Sequence, residues 1–307
     1  HLLQAIALRG LADGRVAYTS TQPSWGWVEP PDASGHSPAP QTIASGLSDF
    51  RGTRNDFQLA RDGTALGVGV RVGTTAQTVA FDLVQTAWTQ LQSSWTKPGA
   101  ASRALNISDW FESERPTLNG RVLPLMAHEM ANAMAVAPGN TGLALGTSLY
   151  LRYYRPDGSL LWQAEAPGST WQVQVSADGR WVVAAYSDGT LRWYRARDGV
   201  ELLAWLPHAD QRRWVAWTPQ GFYAASPGGE DLFGWQLNRG ASAAADFFPA
   251  SRFRSTYFRP DVLAEVLRSA EPGATQPPTS ATASTAVRPA SAPLAAPPPA
   301  LATPPVI

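Results

Sequence analysis

The chain has 307 residues and no cysteine, and its 24 basic and 24 acidic side chains give a formal net charge of zero. A balanced charge does not favour nucleic acid or an anionic membrane as the main partner. The missing cysteines exclude disulfides, thiolate metal sites and a cysteine nucleophile from these residues, and no run of about 18 apolar residues predicts a membrane span.

The first hundred residues have an irregular strand rhythm. The start, HLLQAIALRG, lacks the cationic segment of a signal peptide, so we expect a chain that begins inside a longer protein. Residues 22–41 are rich in Pro, Ser and Gly and predict an inserted loop. Trp25 and Trp27 lie in it, and we expect them either to form an exposed protein contact or to hold the loop against the fold.

The clearest repeat unit spans residues 171–203 and reads WQVQVSADGRWVVAAYSDGTLRWYRARDGVELL. Short runs rich in Val, Trp and Tyr alternate with Asp-Gly pairs at Asp178, Asp188 and Asp198. Asp-Gly tolerates the positive φ of a tight hairpin, and such short runs suit strands rather than helices. The pattern predicts a four-stranded antiparallel meander of the size of one propeller blade.

The turn at Gly179 recurs at intervals of about 40 residues, a period typical of β-propellers. Equivalent turns fall near Gly221 and Asn140. The next turn upstream, near Gly63, is about two repeat lengths from Asn140, so a distorted unit that lacks the turn is expected within 91–126. We therefore predict an all-β, WD40-like β-propeller over residues 1–240, of which about six blades are visible.

The repeat is altered at 213–237, where the second turn is longer, and it then stops. Pro260 suits a first helical turn, and apolar residues within 262–267 recur at helical spacing. Residues 241–271 are therefore predicted to form a helical bridge. Residues 272–307 are almost entirely Pro, Ala, Ser and Thr, and we predict a disordered linker that leads to a further domain.

Five segments carry a family resemblance: PTLNG at 116–120, LGTS and LRYY within 145–154, VVAAYSDGTLRWYR at 182–195, WVAWTPQGFYAASPGGEDLFGWQLNRG at 214–240 and FFPASRFRSTYFRPDVLAEVL at 247–267. The chain resembles, over these segments, the propeller region of bacterial proteins that join WD40-like repeats to a caspase-type (peptidase C14) cysteine protease domain. The resemblance implies a propeller, a short helical bridge, a linker and then a protease domain beyond residue 307. The catalytic Cys and His motifs of that family match no position here.

The chain departs from standard WD40 blades in its polar residues. No Trp-Asp dipeptide occurs, and the only Gly-His pair, Gly35-His36, lies in the predicted insertion. The Asp–His network of standard blades is therefore not expected. The four histidines show no metal-ligand spacing, and no nucleophile elbow surrounds Ser226, so we predict no catalytic, metal or cofactor site.

The predicted bridge mixes cations with aromatic rings at Arg252, Arg254 and Tyr257. Such a run can stack on nucleic acid bases, but the balanced charge favours another interpretation. We expect the rings to pack the bridge onto the propeller and the arginines to pair with its acidic edge, or to form a protein contact. The blade tryptophans have two interpretations as well, an aromatic binding surface or packing between blades.

Two functions of different classes follow from this pattern. The first is a non-catalytic scaffold whose propeller face binds another protein, with a downstream domain in the same polypeptide and neither nucleic acid nor membrane as partner. The alternative is an enzyme or a small-ligand site in the central channel. The predicted innermost strands supply mainly Ala, Val and Trp, which favours the scaffold.

Overall fold

The computed structural model describes residues 5–20, 24–36, 38–44, 48–51, 53, 56–72, 75–96, 105–237 and 246–268. The predicted linker at 272–307 and residues 241–245 and 269–271 of the predicted bridge lie outside them. The described elements are antiparallel strands, three short 3-10 turns and two short α-helices, so the predicted all-β class is confirmed.

The N-terminal sheet has four antiparallel strands in chain order, Ala5–Gly10, Val16–Ser20, Ser24–Val28 and Gln41–Ala44. The predicted insertion at 22–41 therefore contains a strand, and the connecting loop within it runs from 29 to 40. The sequence Ser-Trp-Gly-Trp-Val alternates with a period of two residues, which suits a strand. In this register Trp27 lies opposite Ala17.

Two further sheets follow. The second sheet has the strands Gln58–Leu59, Ala65–Val72, Thr75–Asp82 and Ala87–Thr89. The third sheet is smaller, with the strands Ile107–Ser108, Thr117–Leu118 and Arg121–Val122. This reduced sheet lies within the region where the sequence predicts a distorted unit.

The fourth sheet is a regular meander of Ala131–Val136, Leu143–Thr147, Tyr150–Tyr154 and Leu160–Glu165. The central sheet begins as the predicted meander of Thr170–Val175, Trp181–Tyr186, Leu191–Arg195 and Glu201–Pro207. Its Asp-Gly turns have the predicted conformation: Gly189 has a φ of 84°. Asp188 accepts a hydrogen bond from the backbone N–H of Thr190 at 2.9 Å, which closes the turn.

The central sheet does not end where the sequence predicts a new blade. Trp214–Trp217 pairs with Glu201–Pro207, and Tyr223–Ala225 follows, so the sheet has six strands. Gly234–Leu237 pairs with Asp246–Pro249 in a separate C-terminal hairpin.

Part of the predicted helical bridge is therefore a strand, because the alternating residues of Asp246–Pro249 pair with the strand before them. The α-helices Arg254–Tyr257 and Pro260–Arg268 follow, with Pro260 in the first turn as expected. The connecting 3-10 turns are Pro138–Asn140, Gly229–Leu232 and Ala250–Phe253.

The central sheet is buried on both faces. On one face Trp193 and Trp205 pack against the second sheet, and Leu263 and Leu267 of the last helix join the same cluster. On the opposite face residues of the fourth sheet complete a second cluster. The third sheet in turn packs on the far side of the fourth. The sheets thus stack face to face in the order third, fourth, central and second.

The first strands of three sheets converge. Ala131–Val136 lies beside Thr170–Val175, which also contacts Gln58–Leu59. Gln172 of the central sheet donates from its side chain to the carbonyl of Phe50 at 3.2 Å, which ties this region to the segment that leads into the second sheet. Blade-sized meanders that converge on their first strands are the arrangement of a WD40-like propeller. The number of blades and the closure of a ring stay predictions.

Candidate protein-contact surfaces

A buried charge network ties together the fourth sheet. The carboxylate of Glu129 accepts hydrogen bonds from Arg152 Nε at 3.0 Å and Arg152 Nη2 at 2.7 Å. Thr147 Oγ1 donates to the same carboxylate, and so does the backbone N–H of Met126 at 2.9 Å. Arg152 also donates to Gln163 Oε1 at 2.7 Å. The four acceptor positions of the carboxylate are thus filled.

This network spans the whole sheet, because its members come from the lead-in to the first strand and from the second, third and fourth strands. Glu129 is 0% exposed and Arg152 is 5% exposed. Burial alone raises the pKa of Glu129, but the hydrogen bonds from Arg152 and Thr147 outweigh it and hold this pKa below its ordinary value. The carboxylate therefore stays charged inside the sheet.

The network fixes two loops that carry exposed apolar side chains. Leu149 donates its backbone N–H to Thr147 Oγ1 at 3.2 Å, and Met126 is bonded to Glu129 as described above. The side chain of Met126 is 53% exposed and that of Leu149 is 44% exposed. We call these two side chains the Met126–Leu149 surface. They are presented to solvent on backbone that part-buried hydrogen bonds hold in place.

Trp27 belongs to a small surface group on the N-terminal sheet. The guanidinium of Arg15 lies 5.4 Å from the ring centroid of Trp27, and the indole Nε1 donates to Glu29 Oε1 at 2.8 Å. The ring is half-buried. The side chain of Trp25 lies outside the described residues. A contact role for either tryptophan stays a prediction.

The aromatic residues of the bridge pack against aromatic residues that precede the bridge in the chain. Tyr257 lies 5.3 Å from the ring of Trp235 and 6.1 Å from that of Phe222. Arg254 pairs with Glu230, to which Tyr223 also donates its hydroxyl at 2.7 Å. The expected packing of rings and pairing of Arg254 are confirmed.

Arg252 behaves differently from Arg254. Its guanidinium lies 4.5 Å from the ring centroid of Phe248, and the residue is exposed. Phe247, which is next to Phe248 in sequence, is 61% exposed. The protein-contact role that the sequence suggests for Arg252, Arg254 and Tyr257 stays a prediction.

The blade tryptophans are core residues, as one of the two interpretations predicts. Trp193 is 0% exposed, Trp217 is 2% exposed and Trp162 is 8% exposed. Trp162 Nε1 in the fourth sheet donates to the carbonyl of Ala196 in the central sheet region at 2.7 Å. Their burial leaves no aromatic surface at these positions.

Sequence reasoning missed the Glu129–Arg152 pair, although a signal was present. Arg152 stands in the middle of the apolar strand Tyr150–Tyr154, where a guanidinium needs a carboxylate. Glu129 is the only acidic residue between positions 115 and 156. Standard WD40 blades carry an Asp–His pattern, and a carboxylate–guanidinium network occurs here instead.

No group of three or more His, Asp or Glu side chains is placed to hold a metal ion within the described ranges. Of the helices in that part of the chain, none has the length and apolar character that a bilayer crossing requires.

Comparison with known proteins does not place the chain in a family. No family model matches the chain, and no curated protein matches it. Among solved structures the chain is similar to the β-propeller domain of Cps50 (Swd1) from Myceliophteria thermophila. That match has a TM-score of 0.30 and 10% sequence identity, and it covers 71% of this chain and 84% of that chain. The sheets themselves define the class of the protein, an all-β chain of WD40-like, blade-sized meanders.

Proposed function

We propose that this chain is a non-catalytic scaffold that binds another protein through the Met126–Leu149 surface. The proposal rests on one observation: Met126 and Leu149 expose apolar side chains, and hydrogen bonds hold the backbone of both residues in place. A partner that buries Met126 and Leu149 removes from water the half of each side chain that is exposed, which is worth about half of the roughly 1.5–3 kcal/mol of a full burial for each. Fixed loops lose little conformational entropy on binding, so more of that free energy appears as affinity.

The chain offers a matched control for this surface. Leu160 is 42% exposed and Val200 is 45% exposed. Leu160 follows the turn between the third and fourth strands, whereas Leu149 lies in the turn between the second and third strands. Consecutive turns of an antiparallel meander lie at opposite ends of the sheet. Leu160 is therefore similarly exposed but far from the proposed contact.

The experiment is affinity capture from an extract of the source organism with quantitative mass spectrometry. We expect the unaltered chain to retain at least one protein that the Met126→Glu, Leu149→Glu variant loses and the Leu160→Glu, Val200→Glu variant keeps. A protein retained equally by both variants, or no protein above background, would count against the proposal.

We further propose that the scaffold serves a caspase-like cysteine protease domain in the same polypeptide. The support for this proposal is the resemblance of five segments to the propeller region of such proteins. Reading the coding sequence beyond residue 307 tests it directly, and a Cys–His protease domain is the expected result. A different downstream domain would refute this part and leave the binding proposal standing.

A further inference from the structure

The loop 109–115 of the third sheet borders the Met126–Leu149 surface. The backbone N–H of Ala131, at the start of the fourth sheet, donates to the carbonyl of Ser113 at 2.9 Å. In the same loop Glu114 Oε1 lies 3.8 Å from Nδ1 of His128, which follows Met126 by two positions. The loop and the segment that carries Met126 therefore lie side by side.

This loop adds an aromatic ring to the exposed apolar area. Phe111 is 46% exposed, and its ring packs edge to face on Trp110 with ring centroids 5.8 Å apart. Trp110 is half-buried and packs against the cluster between the third and fourth sheets. The loop is thus anchored by one aromatic residue and presents part of the next one to solvent.

Carboxylates border the Met126–Leu149 surface on two sides. On the second side the backbone N–H of Ala166 donates to the carbonyl of Leu149 at 2.9 Å, and Glu165 beside it is exposed. The exposed carboxylates on the first side belong to the loop 109–115 and are Asp109, Glu112 and Glu114. Within the described ranges none of these four carboxylates is paired with an arginine.

The segments that meet at this end of the sheets are acidic, although the whole chain is neutral. They are residues 109–115, 126–130, 147–150 and 165–166. Glu129 among them is neutralised by Arg152. The remaining charges are four carboxylates and one guanidinium, that of Arg115, so with neutral His128 the net charge is −3. A surface of this sign attracts basic segments of a partner and sets their orientation.

The neighbouring turn of the central sheet does not offset this charge. Ser187 donates its backbone N–H to the carbonyl of Ser169 at 2.9 Å, which places the turn beside the segment that leaves the fourth sheet. The arginine that follows the turn, Arg192, lies 3.4 Å from the carboxylate of Asp188 and 3.1 Å from that of Glu201. Its charge is therefore already engaged.

We propose that the Met126–Leu149 surface binds a basic segment of its partner protein, in which Lys or Arg residues flank one or two apolar side chains. The apolar side chains contact Met126, Leu149 and Phe111, and the flanking cations pair with Glu114 and Glu165. Hydrogen bonds between cationic side chains and carboxylates are among the stronger polar contacts, and they fix the orientation of the segment. This inference rests on the proposed function and adds the chemistry of the partner.

The probe is a fluorescein-labelled peptide, Lys-Arg-Leu-Ile-Arg-Lys, titrated with the full chain by fluorescence anisotropy. Glu114→Lys with Glu165→Lys reverses two charges at the border and leaves the apolar side chains. Met126→Ser with Leu149→Ser removes the apolar side chains and leaves the charges. The charge control is Asp231→Lys with Glu265→Lys, because both residues are exposed and lie near the C-terminal helices. Circular dichroism melts verify that each variant is folded.

We expect saturable binding that weakens about tenfold or more in the border variant and in the serine variant, and less than about twofold in the charge control. A peptide with Glu and Asp in place of Lys and Arg is expected to bind at least about tenfold more weakly, and so is one with Ser in place of Leu and Ile.

The two variants distinguish a failure of this inference from a failure of the proposed function. If only the serine variant loses affinity, the apolar contact stands and the basic partner is refuted. If only the border variant loses affinity, binding to Met126 and Leu149 is itself refuted. Equal losses in the charge control, equal binding of the acidic peptide, or absence of saturation would also overturn the inference.

Discussion

Arg152 holds Glu129 by two hydrogen bonds, from Nε to Oε1 at 3.0 Å and from Nη2 to Oε2 at 2.7 Å, although 23 residues separate them in sequence. Neither residue is exposed by more than 5%. Breaking a buried pair of this kind by removing one partner leaves an uncompensated charge, which costs about 3–5 kcal/mol. Loss of either partner is therefore expected to destabilise the fourth sheet.

The first prediction concerns this pair. We expect Glu129→Leu and Arg152→Met each to lower the free energy of unfolding by about 3–5 kcal/mol. The double variant is expected to lose less than either single variant, because no unpaired charge then remains. Urea denaturation of the four proteins gives the coupling between the two sites. Additive losses would show that the two residues act independently.

The second prediction concerns acid stability. Because the folded pKa of Glu129 lies below its ordinary value of 4.5, its contribution is present above that pH and is lost as pH falls through the folded pKa. The pKa of Asp178 is lowered in the same direction, since hydrogen bonds from Ser176 and Arg180 outweigh the effect of burial. We expect the free energy of unfolding to fall below about pH 4.5, and to fall less steeply in Glu129→Gln. Equal slopes in both proteins would contradict the assignment.

The third prediction compares two fully buried tryptophans. Trp193 Nε1 donates to the carbonyl of Gly63 in the second sheet at 3.0 Å, whereas Trp205 Nε1 has no acceptor among the described residues. We expect Trp193→Phe to destabilise the protein by about 1–2 kcal/mol more than Trp205→Phe, because only the former loses a hydrogen bond between sheets. Chemical denaturation measures both. A larger loss in Trp205→Phe would contradict the prediction.

The fourth prediction concerns how the bridge is attached. Leu267 is 0% exposed and packs in the cluster of the central and second sheets. We expect Leu267→Ala to cost about 2–5 kcal/mol and to expose the bridge to limited proteolysis. Arg254→Ala removes an ion pair whose arginine is exposed, so its cost is expected to stay below about 1 kcal/mol. Cleavage at equal rates in both variants would show that apolar packing does not hold the bridge.

The local elements were predictable because their determinants are local. Asp188-Gly189 sets a turn by its own hydrogen bond and by the conformational freedom of glycine. The strands on either side follow from runs of alternating and β-branched residues. The Pro-rich composition around Trp25 and Trp27 outweighed this same alternation in the sequence analysis, and the strand Ser24–Val28 was missed.

The joining of strands into sheets was less predictable. The link between Glu201–Pro207 and Trp214–Trp217 is short enough for a hairpin or for a step to a new sheet, and its sequence does not decide between them. The Glu129–Arg152 network depends on contacts between three strands and the segment that leads into the first strand. A period of about 40 residues predicts repeated sheets, but it does not tell which polar residues pair inside one of them.

The central claim is that the Met126–Leu149 surface contacts a protein partner. The most direct measurement is photo-crosslinking in cell extract with benzoylphenylalanine at position 149, compared with the same probe at position 160. We predict a discrete protein adduct from position 149 and none from position 160. The same adduct pattern from both positions, or no adduct from position 149, would contradict the account.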